Sequence, residues 1–127
     1  YLIFCNLFFS LVFDLYLARK RGEKLTIVGD GEQRRDFTHV RDVVRANIAA
    51  AERASDISGE IINVGTGTNH SVNQVANMIT NGVHDFEYIP PRPAEARETL
   101  ADISKAKKLL GYMPSIDLSD WIDEHNI

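Results

Sequence analysis

A strand, a glycine turn and a capped helix follow one another without a break across residues 60–79, and few architectures accommodate that block. Glu60 to Val64 reads as a strand, and Gly65-Thr66-Gly67 as the turn that closes it. Ser71 with Gln74 forms a capping box, and Val72, Val75, Ala76 and Ile79 supply an i, i+3, i+4, i+7 apolar stripe ended by Asn81-Gly82. The same grammar recurs upstream. A helix from Leu11 ends in Arg19-Lys20-Arg21-Gly22, basic residues followed by a glycine stop. Leu25-Thr26-Ile27-Val28 is a β-branched run closed by Gly29-Asp30-Gly31, and Arg41 to Ala54 is helical, with Val40, Val44, Ile48 and Ala51 on one face. The alanines at 49 to 51 let that helix approach a neighbour closely. Downstream, Phe86 to Ile89 is a strand halted by Pro90-Pro91, and Arg92 to Ala101 is irregular or weakly extended. Asp102 caps a helix carrying Ile103, Ala106, Leu109 and Leu110 with Gly111 just past its end. A last helix begins near Leu118 and packs Trp121 and Ile122. Strands alternating with helices, with no internal repeat and no low-complexity linker, predict an α/β fold.

At 127 residues the chain predicts one domain with a sizeable core. Its 44% apolar and 25% charged residues exclude collagen-like, disordered and transmembrane classes. A formal charge of −4 argues against nucleic-acid binding through a basic surface and leaves room for a local basic pocket. Cys5 is the sole cysteine, so no intrachain disulfide forms and a reducing compartment fits best.

Tyr1 to Phe13 is apolar except at Asn6 and Ser10. The run is too short for a bilayer, which takes about 20 residues, and lacks the charged start and cleavage site of a signal peptide. It is expected to be a buried helix whose covering is missing, in a chain cut from something longer.

Chemistry is sparse in this pattern. His39, His70, His84 and His125 show no paired spacing and one cysteine builds no thiolate site, so no metal centre is expected. Ser71 has a capping role, which leaves no positioned nucleophile for a hydrolytic triad. Gly65-Thr66-Gly67-Thr68 has the opening of a phosphate loop without a third glycine or a Gly-Lys-Ser/Thr, and is better explained as a tight strand-to-helix turn. Tyr16 and Lys20 stand one helical turn apart, as in a proton-transfer couple, but at the basic end of a helix with no nucleotide-binding half before it. The strongest signal is arginine placement. Arg34 and Arg35 follow a glycine-rich turn, and Arg92 and Arg97 lie in a proline-rich stretch. Arginines beside rigid elements suit bidentate phosphate recognition, and the pattern alone fits solvated surface charge equally well.

Three blocks, LTIVGDGEQRRDFTHVRDVVRANIAAAE (25–52), GEIINVGTGTNHSVNQVANMI (59–79) and RPAEARETLADISKAKKLLGY (92–112), occur in the order and spacing of a known family. The chain resembles the C-terminal part of the NAD-dependent nucleotide-sugar epimerases and dehydratases, the extended short-chain dehydrogenases, with UDP-glucose 4-epimerase as the nearest type. The likeness covers residues 11 to 122. It implies a Rossmann-type α/β fold in which residues 1–127 are a single substrate-binding region, with one or two strands belonging to the larger parallel sheet. It also implies that Arg35 and Arg92 bind the diphosphate of a nucleotide sugar, that Glu95 sits at the ribose, and that Thr26 and Val28 lie along the base, uracil by family type. Asp36, Asp102 and the Ser104-Lys105-Ala106 run match family positions assigned to capping and packing.

The departures are equally informative. The family's N-terminal NAD-binding domain, with its glycine loop, and its catalytic Ser and Tyr-x-x-x-Lys helix have no counterpart here. The family's reaction is transient oxidation at sugar C4 by NAD, rotation of the keto intermediate and return of hydride to the other face. The resemblance therefore implies a cytoplasmic epimerase parent and a chain that is not catalytic alone. Such a chain is expected to self-associate through Tyr1–Phe13 and exposed strand edges, with no membrane or nucleic-acid partner. A dehydratase or decarboxylase relative and a freestanding nucleotide-binding module are the alternatives.

Overall fold

A computed structural model describes residues 2–4, 9–82 and 86–125. Cys5 and His84, weighed above for redox compartment and metal ligation, lie outside the described residues. The elements run β1 (Leu2–Phe4), α1 (Phe9–Arg21), β2 (Leu25–Val28), β3 (Arg34–Arg35), α2 (Val40–Glu52), β4 (Ile62–Val64), β5 (His70–Ser71), α3 (Val72–Thr80), β6 (Phe86–Ile89), α4 (Ser104–Leu110) and α5 (Leu118–Glu124). The fold is α/β. β1 pairs parallel with β4, β2 pairs parallel with β6, and β3 pairs antiparallel with β5.

The N-terminal run departs from expectation. Leu2–Phe4 is a strand, in register with Ile62, Asn63 and Val64, and the helix starts only at Phe9. An unbroken apolar run carries no period, so it cannot distinguish a strand from a buried helix. Here the parallel partner, rather than local preference, decides.

The described residues form two apolar clusters. The first joins Val12 and Leu15 of α1, Leu25 and Ile27 of β2, Phe37, four residues of α3 and Ile122 of α5. α3 buries the stripe read from sequence, and both halves of the Ser71–Gln74 capping box form. The Arg19 guanidinium at the basic end of α1 donates to the Ile79 carbonyl, linking α1 to α3. The second cluster joins Ala46 of α2, Ile62 and Val64 of β4, Ile103, Ala106 and Leu110 of the α4 region, and Tyr112. The cap is displaced from expectation: the helix starts at Ser104 with Ile103 at its N-cap and no side-chain cap there, and Asp102, one residue earlier, accepts from the Ser104 amide at 2.9 Å.

α2 packs by a face other than the expected one. Val40, Val44 and Ile48 are 57%, 48% and 54% exposed, and Ala51 is exposed too, whereas Asp42 and Ala46 are fully buried. The helix approaches its neighbours through small residues, with Ala49 and Ala50 packed on the second cluster. Its buried acid is satisfied by partners a sequence pattern does not reveal. Asp42 accepts from the Ser115 amide and hydroxyl at 3.1 Å each, from the Ile116 amide at 3.3 Å and from Arg45 at 2.7 Å.

Gly65 is held between Ala101 and Asp36. A Cβ there would lie 2.5 Å from the Ala101 side chain and 2.6 Å from Asp36 Oδ2, so no larger residue fits. Its carbonyl accepts from the buried Tyr112 hydroxyl at 2.9 Å. Burial, then the carboxylates of Asp42 and Asp36, push the Tyr112 phenol up to about 12. A tyrosine held neutral in the folded state contributes stability that is complete below about pH 10, where the unfolded phenol begins to ionise, and lost as pH rises towards 12. Tyr112→Phe is expected to be about 1 kcal/mol less stable at pH 8, from the lost hydrogen bond. That gap closes near pH 11, where the unfolded phenol is ionised and the folded one is not, an offset of about 1 kcal/mol. Urea unfolding of both proteins at pH 8 and 11 measures it, and a constant gap would contradict the burial argument. Among the described residues no helix is long and apolar enough to cross a membrane.

Candidate functional site

The residues singled out for binding converge at the carboxyl ends of the parallel pair β2–β6. In open α/β sheets that end is where ligands bind. β2 alternates by burial: Leu25 and Ile27 face the core, Thr26 is exposed and Val28 half-buried. Register places Thr26 beside Glu87 and Val28 beside Ile89, so these four share the outer face. The chain then turns at Gly29-Asp30-Gly31 into Gln33, whose amide nitrogen donates to the Val28 carbonyl at 2.9 Å, and on into β3. After β6 it passes through Pro90-Pro91 into a strap, residues 92–99, that returns alongside β3. The Arg34 amide donates to the Arg97 carbonyl at 2.9 Å and the Thr99 amide to the Arg34 carbonyl at 3.0 Å, with Arg34 bridged to Glu98.

Arg35 and Glu95 are brought together by this strap. Arg35 is buried at 3% exposure, its Nη2 3.3 Å from Glu95 Oε1. Its Nη1 donates to the Arg34 carbonyl at 2.8 Å and to the Arg97 carbonyl at 3.5 Å. Arg92 and Glu95 are the ends of one tight turn, closed by the Glu95 amide donating to the Arg92 carbonyl at 3.4 Å. Arg92 itself is exposed, and its side chain makes no ion pair among the described residues.

Two arginines of the original signal have structural partners. Arg34 forks around Asn69, donating from Nε to the side-chain oxygen and from Nη2 to the carbonyl, both at 2.8 Å. Arg97 pairs with Asp30 at 2.7 Å across the mouth of the strap, where it holds the Asp30 carboxyl down at about 2 and its own guanidinium is shifted up. Both side chains are more than half exposed, so solvent and salt screen the pair. Sequence reasoning did not single out Asn69. Its one signal is a polar residue beside the strand that pairs with β3.

The Gly65–Thr68 turn is closed to anions by the protein itself. Asp36, fully buried, accepts from the Thr66 amide at 2.8 Å and hydroxyl at 2.7 Å, from the Gly67 amide at 3.0 Å and from the Ala101 amide at 3.3 Å. A carboxylate thus fills the seat a phosphate would take, and the turn does not fit the pyrophosphate of a dinucleotide such as NAD. Lys20 places its ammonium over the Tyr16 ring, 5.5 Å from the centroid, a cation–π geometry. Among the described residues no group of His, Cys, Asp and Glu is arranged to hold a metal. A separate cleft of about 280 Å³, walled by Phe37, Thr66, Thr68, His70, Ile116 and Asp117 among others, includes none of the predicted binding residues.

Comparison with known proteins supplies the family. Residues 10–125 match the GDP-mannose 4,6 dehydratase family. The chain is 39% identical over 102 residues to UDP-glucuronate 4-epimerase of Thermodesulfobacterium geofontis, covering 77% of this chain and 31% of that protein. It is 34% identical over 104 residues to UDP-glucose 4-epimerase of Mycolicibacterium smegmatis, covering 80% and 33%. Its fold superposes with a TM-score of 0.81 and 35% identity on UDP-glucuronic acid 4-epimerase of Bacillus cereus, crystallised with UDP-glucuronic acid and NAD, over 89% of this chain and 37% of that one. The chain spans about a third of the length of the curated relatives it matches. With nearly its whole length matched, it belongs to the GDP-mannose 4,6 dehydratase family of nucleotide-sugar-modifying proteins.

Proposed function

We propose that this chain is the sugar-nucleotide-binding, C-terminal region of an NAD-dependent, cytoplasmic epimerase that inverts C4 of a UDP-sugar. The supporting observation is the convergence of Arg35, Glu95 and Arg92 at the carboxyl ends of β2 and β6. In this reading Arg35 and Arg92 clamp the diphosphate from two sides, one guanidinium set into the fold and one carried on the strap. Charge-assisted bonds of this kind contribute about 1.5–3 kcal/mol each. Thr26 and Val28 present the outer face of β2 to the base, and Glu95 reaches the ribose. This chain's own residues bind and orient, and the groups that hold NAD and move protons belong to an N-terminal domain. Because Asp36 occupies the Gly65–Thr68 turn, no step of the reaction is assigned to a cofactor seated there. Self-association has its support in β1, which has β4 as its one strand partner among the described residues.

Calorimetric titration with UDP tests the assignment. Arg35→Ala and Arg92→Ala are each expected to weaken binding by about 10–100-fold, equivalent to about 1.4–2.7 kcal/mol. Arg92→Ala is the cleaner variant, because Arg35 also ties β3 to the strap. Wild-type affinity in both variants would refute the site.

A further inference from the structure

Three features mark the strap that packs on Arg35. The first is the ion pair itself: the carboxylate of Glu95 sits against a guanidinium that is 3% exposed, while Glu95 retains 30% side-chain exposure. The second is backbone strain. Ala94 adopts φ 60°, the left-handed region that glycine favours, in the third position of a turn whose second position is Pro93. The third is an orphan: the buried Thr99 hydroxyl at the far end of the strap has no hydrogen-bond partner among the described residues. The strap is therefore held in this conformation against two local penalties. What holds it is its ladder to β3, the Arg97–Asp30 pair and the Glu95–Arg35 pair.

We propose that Glu95 is an internal competitor for the phosphate seat of Arg35. Resting on the binding reading above, this assigns Glu95 a second role, that of a self-ligand set in place by a strained turn. An incoming diphosphate must displace the carboxylate, and in doing so it releases the turn at Ala94. The exchange gives Arg35 one anion for another, so a buried guanidinium is never left without a counter-charge. It also sets a threshold. A ligand with a single weak anionic group gains too little to dislodge Glu95, whereas a diphosphate offers more charge to Arg35 and engages Arg92 at once.

Inorganic pyrophosphate, which has no ribose or base, isolates this competition in a calorimetric titration. Glu95→Gln is expected to bind it about 3–10-fold more tightly than wild type. Ala94→Gly removes the strain of the closed turn without altering charge, and is expected to weaken binding about 3–5-fold. Glu98→Gln neutralises a neighbouring acid of the same strap that pairs with Asn69 rather than Arg35, and controls for charge alone. Equal tightening in the Glu95 and Glu98 variants, or no weakening in Ala94→Gly, would overturn the competitor role. If wild type binds too weakly to measure, Glu95→Gln must still gain binding, and its failure to do so overturns the proposal. Arg92→Ala separates the two readings. If it leaves pyrophosphate affinity unchanged, the diphosphate site itself is wrong. If it weakens binding while Glu95→Gln does not tighten it, the competitor role alone fails.

Discussion

Asp36→Ala is expected to lower the unfolding free energy by about 3–5 kcal/mol, the largest effect of any single substitution outside the apolar clusters. The wild-type carboxylate is fully buried and gathers the amides of Thr66, Gly67 and Ala101 with the hydroxyls of Thr66 and Thr38. All but the neighbouring Thr38 come from the turn after β4 and from the approach to α4, which are far apart in sequence. Alanine leaves several backbone donors unsatisfied in a space too tight for Gly65 to carry a Cβ. Each orphaned donor costs about 1–3 kcal/mol, reduced where water enters the new cavity. Urea unfolding followed by circular dichroism gives the midpoint and slope, and thermal unfolding should move down by roughly 10–20 °C. A loss below about 1.5 kcal/mol would show that the turn holds its shape without the carboxylate.

Asp42→Ala is expected to lose about 2–4 kcal/mol for a related reason on a different element. Asp42 pins the extended segment at Ser115 and Ile116 onto α2, and its own side chain is fully buried. Its ion partner gives the internal control. Arg45 is 52% exposed, so Arg45→Ala should lose less than about 1 kcal/mol, since the serine and backbone donors remain on the carboxylate. Equal losses in the two variants would mean that the ion pair, rather than the amide cage, holds the segment. The two aspartates share no hydrogen-bond partner, and the Tyr112 phenol on which both act is neutral at pH 7, so their effects there should add to within about 0.5 kcal/mol.

Those two acids also mark the limit of what sequence reveals here. Periodicity located the helices because a stripe such as Val72, Val75, Ala76 and Ile79 states both an element and its buried face. The same reasoning inverted α2, because its buried face is made of alanines and a satisfied Asp42 while its valines face outward. Burial of an acid depends on donors some seventy residues away, and no local pattern encodes them. Leu2–Phe4 was unreadable for a related reason: its partner is β4, far along the chain. At the candidate site, the glycine-rich turn and the arginines were legible as types. The structure then sorted them by partner, Arg34 to Asn69, Arg97 to Asp30 and Arg35 to Glu95. The pairing of the strap with β3 decided that sorting, and a stretch readable as irregular or weakly extended does not say which strand it joins.

The two parallel pairings impose an order on biosynthesis. Leu25 faces Phe86 and Leu2 faces Ile62, so each strand waits for a partner roughly sixty residues later in the chain. At about 5–20 residues per second of translation, Leu25–Val28 emerges roughly 3–12 s before β6 exists to receive it. A helix can form meanwhile, but this strand cannot, and its apolar face stays open to other nascent chains and to chaperones. The binding end assembles later still, when residues 92–99 close over Arg35, and α4 and α5 follow it. A ribosome stalled before Phe86 would therefore carry β2 with neither its partner strand nor a phosphate seat.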